Sequence, residues 1–329
     1  MKYKEIHIWN FPPTLTFVKL NKQFKENLFK DLISKTGSQE KLLKIINGSS
    51  LKYNIRRKHS RRNLYSWIKG QNFDRGKMKN IYIPLWVLIE SSNIISTKKD
   101  KKNQILKKIE KNIKFYTSRG NSNPINKPKL PLSLTPEMIS IIFNFLGGGH
   151  MGKKQISPSY KQINKEGLTN FLSRLRNIFG DFRYSKGEFK NGRLNIPKVI
   201  GDFYQHYFNL TKTNTFDARV PKKIKALKKE FLLAGLISFI VDEGHIGEVI
   251  TIYSKNKGLL SDIKEICDKI GYISHPIREK YARGKFDVYR FNISIRSYKQ
   301  INSDINKLFK NFPNCNLAQK RNKLLQKIR

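Results

Sequence analysis

Leu232 to Gly247 reads LLAGLISFIVDEGHIG, an uncharged apolar run that stops at two acids, a glycine and a histidine. The stretch from Leu232 to Val241 is about half the length a bilayer-spanning helix needs, so it reads as a helix buried in protein. Gly235, Ser238 and Asp242 share one face at i, i+3 and i+7, where small side chains let a second backbone approach. Gly244 ends the helix. Met138 to Gly152, MISIIFNFLGGGHMG, repeats the pattern: Gly149, His150 and Gly152 recur 95 residues later as Gly244, His245 and Gly247. Thr135 and Pro136 supply its N-cap and first helical position. The same offset aligns Ser140 with Gly235, Phe143 with Ser238, Gly147 with Asp242 and Gly148 with Glu243. Phe143 is therefore expected to pack against Ser238, and Ser140 and Gly235 to mark the closest approach of the two helices.

The repeat continues downstream. YKQINKEGLTNFLSRLRNIFG from Tyr160 parallels YSKNKGLLSDIKEICDKIG from Tyr253, both with helical periodicity. Asp287 to Ile295 alternates apolar and polar residues like a strand.

Charge narrows the partner. The 329 residues hold 66 Lys and Arg against 24 Asp and Glu, a formal net charge of +42, while 38% hydrophobic residues suffice for a core. So large a cationic surface suits a polyanion, nucleic acid ahead of an anionic membrane, and exceeds what a small acidic metabolite requires. Two cysteines, Cys267 and Cys315, are too few for a disulfide framework or a thiolate zinc site. No secretory signal opens the sequence, and an intracellular, reducing location is the expectation.

Three segments are expected: a mostly helical domain over 1–96, a basic helix with linker over 97–131, and the duplicated core over 132–329, halved as 132–220 and 221–329. Thr97 to Lys102 is lysine-rich, Gln104 to Phe115 reads as a basic helix, and Gly120 to Pro131 has linker composition. In the first segment Ser38 caps a helix over Ser38 to Asn47, and a basic stretch from Arg56 to Asn72 follows. The order suggests a loose helix-turn-helix. It points Arg61, Arg62, Asn63, Ser66 and Lys69 at DNA, with Leu64, Trp67 and Ile68 turned inward.

The two motifs and their matching downstream helices resemble the LAGLIDADG homing endonucleases in their two-motif, single-chain form. The resemblance implies an α+β core of two αββαββα halves about a pseudo-twofold axis, a monomer whose sheets saddle double-stranded DNA, and phosphodiester hydrolysis with Mg²⁺. In that family the residue before each motif glycine is the metal-binding acid. Carried over, these are Glu243 and position 148, where this chain has Gly148. Hard carboxylates hold Mg²⁺ in such sites, so the loss of one implies nicking or no cleavage, with Gly148→Asp expected to restore the second acid. Lys285 in RGKF and Arg193 in NGRL occupy comparable places for basic catalytic residues, and Lys161, Arg278 and Arg290 are further DNA-contact candidates. His150 and His245 suit helix capping or phosphate contact better than metal binding. Two other readings follow from the same residues: a regulator that binds DNA without cutting it, and a splicing factor that binds structured RNA.

Overall fold

A computed structural model describes residues 3–56, 58–74, 77–118, 123–152, 156–210, 216–282 and 285–328. Its centre is the pair of motif helices, Pro136–Leu146 and Lys229–Glu243, packed side by side. Every residue from Pro136 to Leu146 is buried, as is Phe231 to Ile240 in the second helix. Thr135 accepts a hydrogen bond from the Met138 amide, and Pro136 takes the first helical position as expected. A side-chain carbon built on Gly235 would lie 2.3 Å from the Phe143 ring. Phe143 thus fills the notch at Gly235, one turn from the Ser238 pairing expected. Ser140 and Ser238 share a polar partner instead, the Arg174 guanidinium.

The second unit has helix Lys229–Glu243, strands Gly244–Ile246 and Ile250–Ser254, helix Lys257–Lys269, strands Arg278–Ala282 and Lys285–Ile293, and helix Tyr298–Asn311. Its four strands form an antiparallel sheet in which Ile250–Ser254 and Lys285–Ile293 are central. The first unit departs from the αββαββα order. Among the described residues its sheet has three strands, Gly149–His150, Ser159–Lys161 and Arg193–Asn195, and the short helix Lys186–Lys190 stands where the second unit has Arg278–Ala282. The Ser185 side chain caps that helix by accepting from Glu188 N, and Gly192 at φ +75° turns the chain straight into Arg193–Asn195.

The amino-terminal part surrounds strand Thr16–Leu20, which pairs with Ile83–Pro84 on one side and Ile113–Ser118 on the other. Helices Lys22–Thr36, Gln39–Ser49, Arg61–Lys69, Leu85–Ile95 and Lys99–Lys111 pack around it, and a hairpin of Gln71–Asp74 with Lys77–Asn80 follows the third. Segment 97–131 differs from the expected helix and linker. Its lysine-rich helix leads into Ile113–Ser118, whose last three residues are buried. This strand ties the two parts together. Tyr116 Oη donates to the Phe179 carbonyl (3.2 Å), Ser118 Oγ donates to Asp202 Oδ2 (2.5 Å), and Asn126 and Asp181 exchange backbone hydrogen bonds. Glu5–Ile6 pairs with Leu132–Ser133, and the Phe11 ring packs tilted against Phe203 at 4.6 Å between centroids. One hydrophobic core runs through both parts. No helix among the described residues is long and apolar enough to cross a membrane.

Candidate functional site

The second motif helix ends with Asp242 and Glu243 about 100° apart, so the two carboxylates leave it in different directions. Carbonyls at a helix C-terminus carry partial negative charge and repel acids placed there. Lys320 offsets this: its Nζ donates to the carbonyls of Ile240 (2.8 Å), Val241 (2.7 Å) and Gly244 (2.6 Å). Glu243 is part-buried and has no hydrogen bond or ion pair among the described residues. Burial pushes its carboxyl pKa up, and the nearby Lys320 ammonium partly counters that.

Asp242 reaches into the first unit. Tyr160 Oη (2.5 Å) and Gln162 Nε2 (2.9 Å) donate to its Oδ1, and Asn144 Nδ2 (3.0 Å) donates to its Oδ2. Burial raises its pKa to about 7; hydrogen bonds from Tyr160 and Asn144 act in the opposite direction, and the charge of Glu243 adds to the rise. Arg174, on helix Lys165–Phe179 and only 4% exposed, fixes the network from behind. It donates to Asn144 Oδ1 (3.0 Å), Ser238 Oγ (2.8 Å) and Ser140 Oγ. With its oxygen held by Arg174, the Asn144 amide must turn its NH₂ toward Asp242.

The glycines of the first motif make room for this acid. A side-chain carbon on Gly147 would lie 3.0 Å from Asp242 Cβ, and one on Gly148 would lie 2.9 Å from the Lys161 carbonyl oxygen and 3.8 Å from Asp242 Cγ. Asp242 thus lies on the helix-packing face, as its periodicity implies, against its aligned partner Gly147, and from there its carboxylate also reaches the position where the first motif has no acid.

Lys161 and Arg193 are cross-strand partners in the first sheet. Together with Gly148, Gln162, Asp242 and Glu243 they line a cleft of about 690 Å³. Lys161, Arg193, Asp242 and Glu243, taken separately in the sequence, thus meet in one place, with Glu188 also in the wall and held by Asn195 Nδ2. Lys285 is elsewhere. Sheet register makes Arg290 the counterpart of Arg193: Gly149, Tyr160 and Leu194 lie in line as Gly244, Ile252 and Phe291 do, so the Lys161–Arg193 pair corresponds to Tyr253–Arg290. Lys285 lies four residues before Tyr289, the last residue to pair with Ile250–Ser254, and the glycine used to align it falls outside the described residues. Arg278 and Arg290 are partners across the second sheet and line a small recess with His275.

Of the amino-terminal candidates, Arg62 and Lys69 are exposed on helix Arg61–Lys69. Arg61 pairs with Glu40 at 3.0 Å, Asn63 closes a capping box with Ser60, and Ser66 is 6% exposed, packed inward with Leu64 and Trp67. Ser66 therefore cannot face DNA. Tyr65, passed over in the sequence, is the exposed aromatic of this helix, with Lys69 Nζ 5.8 Å from its ring centroid. His150 Nδ1 accepts from the Gly152 amide, in keeping with a turn-capping role.

No cluster of three or more His, Cys, Asp or Glu suited to a metal occurs among the described residues. Mg²⁺ is nonetheless compatible with the cleft, since it is commonly held by one or two carboxylates together with substrate phosphates and water. A part-buried carboxylate without a partner, Glu243, beside Asp242 is such a pair.

Neither a scan against protein-family models nor a search of curated proteins finds a match. Solved structures of the homing endonuclease I-DmoI are similar to about half of this chain. A structure of its mesophilic variants is 19% identical, covers 52% of this chain and 94% of its own, and has a TM-score of 0.34. I-DmoI in complex with DNA and Mn is 21% identical, covers 52% of this chain and 97% of its own, with a TM-score of 0.34. Its complex with DNA and Ca is 18% identical, covers 52% and 91%, and scores 0.35.

Proposed function

We propose that the protein binds double-stranded DNA across its two sheets and hydrolyses one phosphodiester in the cleft at Asp242 and Glu243, leaving a nick. The observation that carries this reading is the convergence of Lys161, Arg193, Asp242 and Glu243 on one cleft. The equivalent strand pair of the other half, Tyr253 with Arg290, brings no such set together among the described residues.

In this mechanism Lys161 and Arg193 bind the non-bridging oxygens of the phosphate and orient it. Asn144, Tyr160 and Gln162 hold Asp242, while Glu243 stays free to turn toward the phosphate. Glu243 and Asp242 would hold Mg²⁺, which when bound lowers the pKa of a water and neutralises charge developing on the phosphate. With its pKa raised to about 7 by burial, Asp242 is partly protonated near neutral pH, which eases its repulsion with Glu243.

The test is a supercoiled plasmid carrying a target selected from a DNA library, incubated with Mg²⁺. Wild type is expected to give nicked circles, and Glu243→Gln and Asp242→Asn to give none while still binding. Efficient linearisation by wild type, or undiminished nicking by Glu243→Gln, would overturn the single-centre mechanism. A second reading, binding without cleavage, draws on the three donors already satisfying Asp242. It predicts no nicking in any variant and no quenching of Tb³⁺ luminescence by Mg²⁺ at the cleft.

A further inference from the structure

A second concentration of cationic groups lies far along the chain from the motif helices and shares no residue with the cleft. Helix Lys22–Thr36 carries Lys25 toward helix Arg61–Lys69, where its Nζ comes to rest against Gly70. Gly70, at φ +76°, ends that helix, and a side-chain carbon on it would collide with the ammonium. Lys25 is 5% exposed, and it makes no hydrogen bond or ion pair among the described residues. Its side chain lines a groove of about 940 Å³ together with Lys19, Lys22, Lys69, Lys114 and Tyr65. Glu26 is the single carboxylate there among the described residues.

A lysine that is nearly buried without a hydrogen-bonded acid is costly, because the ammonium loses water while the helix end at Gly70 returns only partial negative charge. Burial lowers the Lys25 pKa; Glu26 opposes this, and Lys22, Lys19 and Lys69 reinforce it. Neighbouring cations thus worsen an already unfavourable placement, and an anion in the groove would relieve all of them together. The groove is many times larger than one phosphate. Two aromatic rings stand in its wall: Tyr65, 57% exposed, and Phe115, with Lys69 and Lys19 over their respective faces at 5.8 and 5.6 Å. Ammonium groups alternating with rings match a phosphate backbone whose bases are unpaired, since a duplex keeps its base faces stacked inside.

We infer that this groove seats an unpaired nucleic-acid strand, with the Lys25 ammonium as the innermost contact to one phosphodiester and Tyr65 as a platform for a neighbouring base. The site acts independently of cleavage, so it stands or falls apart from the cleft at Asp242 and Glu243.

The experiment uses the full chain and a twelve-nucleotide oligothymidylate containing 4-thiothymidine, photo-crosslinked and mapped by mass spectrometry. The peptide containing Tyr65 is expected among the products. Lys25→Met should lower its yield about tenfold, the loss expected for one charge-assisted contact. It should also reduce the salt slope of binding by about 0.7, one phosphate's share on a single strand. Lys25→Met removes an unpaired buried charge while keeping chain length, so its melting temperature should hold or rise. Lys69→Gln, an exposed change, should weaken the crosslink in the same direction. Unlabelled oligothymidylate should compete better than a duplex of equal length or pyrophosphate. An unchanged yield and slope in both variants, or equal competition by duplex or pyrophosphate, would overturn the proposal.

Discussion

Asp242 holds a proton at a pH where an ordinary carboxyl has lost it, and this gives the cleft a measurable signature. Its pKa is raised to about 7 against about 3.9 in an unfolded chain, so between these values the folded protein binds more protons than the unfolded one. Stability is therefore fully present below about pH 4 and falls as pH rises toward 7. Thermal melts of wild type should decline over that window relative to Asp242→Asn, and parallel curves would refute the assignment. Nicking should show the opposite trend, rising with pH through about 7 as the acid becomes able to bind a cation. Gly148→Asp now carries a different expectation from the one its alignment implied. The new side chain would press on the Lys161 carbonyl and bring a third carboxyl toward Asp242, so we expect a lower melting temperature and a further rise in the Asp242 pKa, with no gain in double-strand cleavage. A gain in linear plasmid would show that the strand at Lys161 gives way. Asp242 was hard to read because helical periodicity locates a side chain around an axis without saying whether the neighbouring space is packed or open. Arg174 left a fainter signal, a lone cation on the apolar side of FLSRLRNIF, between Phe171 and Ile178.

The motif helices were legible as elements because their ends are chemically marked: Thr135 and Pro136 open the first, Gly244 closes the second, and the 95-residue repeat pairs them. How they interlock was legible only in kind. A large residue does face a small one, but it is Phe143 on Gly235. Gly235→Ala should cost about 1–3 kcal/mol by overpacking, read as a shift in the urea midpoint, and Phe143→Leu in that background should recover part of it. Additive costs would place the two residues out of contact. Lys320 serves the same helix from outside the repeat, where nothing in the motif announces it. Lys320→Met should cost about 1–3 kcal/mol through the three lost carbonyl contacts and should raise the Glu243 pKa. Among the described residues the first unit has no fourth strand, because a Ser-capped turn of helix and Gly192 use the residues that would have formed it. Turn chemistry at SKGEFKNG outweighed the symmetry that the repeat suggested.

At the level of the molecule, the boundary expected near residue 130 reflects composition alone. Lysines and a Gly-Asn-Pro-rich stretch resemble a linker, while Tyr116, Thr117 and Ser118 between them are buried against the motif unit. If that boundary separated two independent domains, deleting residues 1–120 would leave an intact core with weaker binding. The structure predicts otherwise, since the deletion uncovers Phe179 and Phe203 and leaves Asp202 with Lys198 but without Ser118. The truncated protein should bind a hydrophobic dye or precipitate, whereas a soluble fragment with a native far-ultraviolet spectrum would contradict this view.

The pairing of Glu5–Ile6 with Leu132–Ser133, and the packing of Tyr3 on Phe231 and Phe312, also bear on how the chain reaches this state. Contacts that join the two ends of a long sequence form late, because the entropy of closing so large a loop is lost before anything is gained. Folding should then be slow and governed by non-local contacts, and calorimetry should record one cooperative transition where a chain of separable modules would show two.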